Sequence, residues 1–270
     1  MSLEMGRSAP ILQARGSLAR AAAITQPAQG RRIRLLLELG GIFLLAPVLI
    51  RFAIFDWRIP LPVVLQPLLL GLIVYLLWDP TFRLKSELNS GFPLVELVSI
   101  AIVFVAVGGV IAVVVAMHLP EQFLRLPAER PRMWALIMVF YPLMSVIPQE
   151  LIYRTFFFHR YGPLFGDARW MAITVNGLLF GFAHIIFGSY VSITLTALLG
   201  FLVAWRYERT GSFWGAWLEH SLYGCLIFSI GLSTTPTLTR PGRLYPMPPS
   251  PSMVVLHRPA PCAPTLPNRS

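Results

Sequence analysis

Long apolar runs alternate with short polar breaks along most of the chain, and their spacing predicts the elements. Residues 33–55 (IRLLLELGGIFLLAPVLIRFAIF), 61–78 and 92–118 form the first three runs. Each is long enough to cross a bilayer as a helix, which takes about 17–25 apolar residues. Glu38 and Arg51 lie near the two ends of the first run, where long side chains snorkel to the interface. Trp78 closes the second run as an interfacial anchor, and the turn-forming loop DPTFRLKSELNSG follows. The third run is long enough to span with tilt and ends at Leu119-Pro120. Residues 121–132 (EQFLRLPAERPR) are short, amphipathic and basic, which predicts a segment lying in the interface.

The second half repeats the pattern with more polar content. Residues 133–158 form a run in which Pro148 is expected to kink the helix by removing a backbone donor. Residues 170–187, 190–205 and 213–232 follow, the 190–205 run closing at Arg206, Glu208 and Arg209. The expected fold is all-α, a polytopic transmembrane helix bundle of about seven spans, with eight the alternative count. The organisation reads as a disordered tail over 1–32, accessory spans and an interfacial segment over 33–132, core helices over 133–232, and a Pro-rich disordered tail over 233–270.

Composition supports this reading. The 270 residues are 56% hydrophobic and 13% charged. That is roughly half the charge share of a soluble domain. The formal net charge is +10. The basic residues sit in the N-terminal tail and in loops, and no interleaved basic and aromatic pattern accompanies them, so nucleic acid is not an expected partner. Arg15, Arg20, Arg31, Arg32 and Arg34 favour a cytoplasmic N-terminus, and the bilayer of the cell (inner) membrane is the expected setting. The tail 1–30 has no clean apolar core, so it reads as a cytosolic tail rather than a cleaved leader. Cys225 and Cys262 make no disulfide framework, and Cys225 reads as a small core residue.

The chemistry lies where charge should not be. A charged side chain at bilayer depth costs at least about 2.5 kcal/mol, so ionisable residues there are functional candidates. Glu150, His184 and His220 each sit in an apolar run, on three different spans. Arg154 lies four residues after Glu150 and shares its helix face, which also fits a plain salt bridge. Asn176, Phe180 and His184 recur at a spacing of four, so one stripe carries an amide, an aromatic ring and an imidazole. Gly177 and Gly181 form a GxxxG on an adjacent strip, open to close approach by another helix. Gly224, one turn after His220, leaves space beside that imidazole, and Glu219 points elsewhere on the wheel and reads as interfacial. Any one of these histidines alone fits a structural hydrogen-bonding role. Together, one carboxylate and two imidazoles are a general-base set, provided they converge on one water-accessible cavity. They are also a His₂Glu donor set for zinc. No cofactor is expected, with zinc left open as the alternative.

These residues resemble the CAAX prenyl protease and bacteriocin-processing (CPBP) family of glutamic intramembrane endopeptidases. Its members carry EExxxR, FxxxH and then HxxxN or HxxxD on adjacent core helices. The counterparts are Gln149-Glu150-Leu151-Ile152-Tyr153-Arg154, Phe180-Gly181-Phe182-Ala183-His184 and His220-Ser221-Leu222-Tyr223-Gly224. The resemblance covers residues 133–232. It implies that the first Glu and the FxxxH histidine activate a water, that the last histidine and Asn stabilise the oxyanion, and that the substrate is a membrane-tethered peptide or protein cut near the bilayer surface.

This chain departs twice. Gln149 stands at the first Glu and cannot act as a base, and Gly224 stands at the final Asn. The expected function is therefore an endopeptidase whose water is activated by Glu150 and His184, with His220 supporting the oxyanion and Asn176 supplying the missing amide. The alternative is a catalytically inactive relative that binds a lipid, a peptide or a partner membrane protein. A proton-linked transporter would use the same buried groups, but the sequence shows neither inverted repeats nor paired broken helices.

Overall fold

Helix is the only regular secondary structure among the residues described by the computed structural model, 28–59, 61–82 and 92–232. Residues 1–27 and 233–270 of the tails expected to be disordered, and most of the loop after Trp78, lie outside these residues. Gln29–Arg32, placed in the disordered tail by expectation, are instead the first turn of a helix, because they continue the amphipathic run that follows. Apolar content and backbone self-satisfaction dictate helix here, because lipid offers no partner for an open N–H or C=O. The elements are α1 (Gln29–Phe55), α2 (Leu61–Trp78), α3 (Leu94–His118), the short α4 (Arg125–Glu129), α5 (Pro131–Phe165), α6 (Arg169–Phe187), α7 (Tyr190–Thr210) and α8 (Phe213–Ser229). Five of them, α1, α3, α5, α6 and α7, are long and apolar enough to cross a membrane. α2 and α8 are shorter, at 18 and 17 residues.

The bundle is turned inside out relative to a water-soluble protein. Leu37, Val95, Val105 and Met117 are exposed on its outer surface, whereas Glu150, Arg154, Arg206 and Glu219 are fully buried. Lipid is the solvent that makes both halves of that arrangement favourable.

α5 holds the centre. Helix runs on through Pro142 and Pro148, with π-helical turns over Tyr141–Val146 and Leu151–Phe156 on either side of Pro148. Wider turns of this kind recur at functional sites because they re-aim side chains. Phe43 of α1 packs edge-on against Tyr153, Phe157 and Tyr161 of α5. Arg51 of α1 donates to the Ile185 carbonyl of α6 at 2.8 Å.

Ion pairs tie the ends of the helices together. Glu38 accepts two hydrogen bonds from Arg160 at 2.9 and 2.8 Å and one from Tyr161 at 3.1 Å. Asp79, just past α2, faces His159 of α5 at 3.2 Å, and the Thr81 hydroxyl and the His159 ring hold its carboxyl below the ordinary range. Glu219 corrects the interfacial expectation: it is fully buried and paired with Arg206, which also binds Glu96 at 2.8 Å. The physical reason is that Arg206, at the end of α7, turns inward between α3 and α8, so its charge demands an inward carboxylate.

α6 and α7 form the closest pair in the bundle. A Cβ on Gly177 would come within 2.7 Å of the Phe201 backbone nitrogen, and one on Gly181 within 2.8 Å of the Ile193 carbonyl oxygen. The GxxxG strip therefore lets two backbones touch. Gly181→Val is expected to destabilise the protein by about 1–3 kcal/mol or more through overpacking, read as a lowered unfolding midpoint in detergent. An unchanged midpoint would show that this approach is not needed.

Candidate active site

Glu150 sits where regular helix passes into the second π-helical stretch of α5, with its side chain fully buried. One carboxylate oxygen, Oε1, lies 2.8 Å from Nδ1 of His220 on α8. The other, Oε2, lies 3.3 Å from Nε of Arg154. Arg154 in turn donates from Nη1 to Asn176 Oδ1 at 2.8 Å, and its guanidinium lies 4.9 Å above the Phe180 ring. The Asn176 amide nitrogen donates to the Tyr153 carbonyl at 2.5 Å. Three helices thus meet on one buried chain of polar contacts: α8 through His220, α5 through Glu150 and Arg154, and α6 through Asn176.

The hydrogen bond that Glu150 makes is to His220, not to His184. His184 begins the 3-10 turn that ends α6, and its Nδ1 lies 2.8 Å from the Phe180 carbonyl oxygen. That carbonyl can only accept, so Nδ1 carries the proton and Nε2 keeps its lone pair. The Phe180 ring touches both imidazoles, with centroids 4.8 Å from His184 and 5.3 Å from His220. Phe180 is fully buried and spaces the two histidines. Asn176 has its oxygen on Arg154 and its nitrogen on Tyr153, so it holds the arginine rather than facing a substrate.

Gln149, half-buried beside Glu150, donates to the Ser145 hydroxyl at 2.8 Å. The space that Gly224 leaves beside His220 is filled: the Tyr141 ring of α5 occupies it, and its hydroxyl lies 3.4 Å from His220 Nε2. Sequence reasoning passed over Tyr141 and Ser145. A signal was present, because Tyr141, Ser145 and Gln149 recur at a spacing of four as a polar stripe in an apolar helix.

Ile147 and Leu151 flank Glu150 on α5 and line an apolar cavity of about 260 Å³ together with Ile73, Leu76, Phe82 and Trp214. No three His, Cys, Asp or Glu side chains among the described residues gather closely enough to hold a metal ion. The zinc alternative therefore finds no ligand set here: His220 is turned to Glu150, and His184 to a backbone carbonyl.

An all-helical bundle with an apolar exterior and a buried carboxylate–imidazole–guanidinium core defines an integral membrane protein. Residues 131–226 match the family described as Rce1-like, type II CAAX prenyl endopeptidase Rce1-like. This segment, which runs from the start of α5 into α8, is similar to the CAAX prenyl protease (CPBP) family, and the match supports assigning it there. No curated protein matches the chain, and no solved structure does.

Proposed function

We propose that the protein is an intramembrane endopeptidase that hydrolyses a peptide bond of a membrane-tethered protein or peptide. The observation that carries this reading is the buried Glu150–His220 hydrogen bond, backed by Arg154 and set one aromatic ring away from His184, inside the segment matched to the endopeptidase family.

Glu150 and His184 share the activation of water by different routes. His184 Nε2 takes the water's proton as the oxygen attacks the peptide carbonyl. Glu150, held in place by Arg154, fixes the orientation and the Nδ1–H tautomer of His220 beside the reacting carbonyl. The C–O bond forms, the C–N bond breaks, and the proton held by His184 leaves with the amine. The apolar cavity beside Ile147 and Leu151 suits a lipidated or apolar stretch of the substrate.

The cell (inner) membrane is the proposed site, with seven crossings when α2 and α8 are counted and the N-terminus cytoplasmic. Arg31, Arg32 and Arg34 begin α1, and the Glu38–Arg160 and Glu96–Arg209 pairs bring Arg160 and Arg209 to the same end of the bundle. These five basic residues favour that end as cytoplasmic, with Arg125, Arg130 and Arg132 after α3 weighing the other way.

The test is cleavage of a membrane-anchored reporter peptide ending in a prenylated CAAX sequence by purified protein in liposomes. Wild type is expected to cleave, and His184→Ala to lose roughly 10²- to 10⁴-fold, the size of a general-base contribution. Equal turnover in the two would sink the reading. A second reading, an inactive relative that binds a lipid, peptide or partner protein, is favoured by one observation: Gln149 is not acidic and is already engaged by Ser145. Activity that appears only in Gln149→Glu would support it.

A further inference from the structure

We propose that the Tyr141 hydroxyl donates the hydrogen bond that stabilises the tetrahedral oxyanion, standing in the space a side chain at position 224 would otherwise fill. This rests on the endopeptidase reading above.

The two positions exclude each other. A Cβ on Gly224 would collide with Cε1, Cζ and the hydroxyl oxygen of Tyr141. The ring is fixed edge-on against Phe228 at 5.1 Å and His220 at 6.4 Å between centroids. Next to it, the Trp217 indole N–H donates to the Pro142 carbonyl at 2.9 Å and clamps α8 to the first π-helical stretch of α5. The phenol is therefore aimed by its surroundings rather than by its own rotamer freedom.

Tautomer logic gives its resting role. Glu150 accepts from His220 Nδ1, so in the neutral ring Nε2 is an acceptor. The Tyr141 O–H then donates to Nε2, at 3.4 Å, a long contact. An oxyanion is a far better acceptor than a distant imidazole, since charge-assisted hydrogen bonds are shorter and roughly twice as strong. When charge builds on the substrate oxygen, the phenol changes partner and keeps its proton. No covalent step involves it.

Three amide or indole donors close by are occupied, whereas Arg154 Nε and Nη2 and the Thr155 and Ser221 hydroxyls are buried without a hydrogen-bond partner. The Asn176 nitrogen is on the Tyr153 carbonyl, the Gln149 nitrogen on the Ser145 hydroxyl, and the Trp217 nitrogen on the Pro142 carbonyl. Tyr141 differs from these in that its hydroxyl faces His220 Nε2, in the space beside Gly224.

The experiment measures kcat and KM for the prenylated reporter peptide in liposomes. Tyr141→Phe keeps the ring and is expected to lower kcat roughly 10²- to 10³-fold, the effect of removing one oxyanion donor, with KM and the unfolding midpoint unchanged. Gly224→Asn alone is expected to lower the midpoint, because the ring already fills that space. In Tyr141→Ala/Gly224→Asn the amide takes the vacated position, and part of the kcat lost in Tyr141→Ala should return. If wild type cleaves and Tyr141→Phe matches its kcat, the tyrosine has no such role and the endopeptidase reading stands. If wild type cleaves nothing, the endopeptidase reading fails and takes this one with it.

Discussion

Arg154→Met is expected to cost the fold about 3–5 kcal/mol, the penalty for removing one partner of a buried ion pair. The guanidinium is fully buried and has three tasks. It neutralises Glu150 at 3.3 Å, donates to Asn176 Oδ1 at 2.8 Å and lies over the Phe180 ring at 4.9 Å. Methionine matches much of the length but leaves a carboxylate without counter-charge and an amide oxygen without a donor. The check is reversible unfolding in detergent micelles. The double variant Arg154→Met/Glu150→Gln should recover a large part of the loss, because it removes the orphaned charge. A coupling energy near zero in that cycle would mean that the pair does not hold the core together.

The same logic marks what the sequence made legible. Apolar runs located the helices, with ends that moved by several residues: 33–55 became Gln29–Phe55, 190–205 became Tyr190–Thr210, and 133–158 became Pro131–Phe165. Local spacing also anticipated that Glu150 and Arg154 would meet, since four residues on one helix decide it. Gly177 and Gly181 were readable for a similar reason, because a backbone-to-backbone approach needs small residues on one strip.

Partnerships between helices were not readable. The wheel of α8 shows that Glu219 and His220 point apart, but not that Arg206 waits on one side and Glu150 on the other. Glu219 looked interfacial because helical periodicity contains no information on the neighbouring helix. The empty place beside His220 was visible at Gly224. Its filling by Tyr141, far earlier in the chain, depends on how α5 passes α8, and on a π-helical stretch that shifts the face of α5. Function thus turns on contacts of long sequence separation, the part of a fold that local pattern determines least.

Glu150→Gln is the sharpest test of the assignment of Glu150 to His220 and should lower kcat on the order of 10³-fold with little change in KM, as expected for an interaction made mainly in the transition state. The substitution is nearly isosteric, so the site should stay packed. Two things change. The amide carries no charge, so Arg154 stays buried beside it without a counter-charge and the site's electrostatic balance shifts. The amide can also rotate to donate toward Nδ1, which would move the His220 proton to Nε2 and remove the acceptor that Tyr141 faces. Nitrogen NMR of the imidazoles reads this directly: His220 should be protonated at Nδ1 in wild type and mixed in the variant. His184, held by the Phe180 carbonyl, should not move. A change at His184 with none at His220 would put the carboxylate on the other imidazole, and the route through His220 would be wrong. Because both histidines are reported in one spectrum, the measurement separates the two routes even before a substrate is in hand.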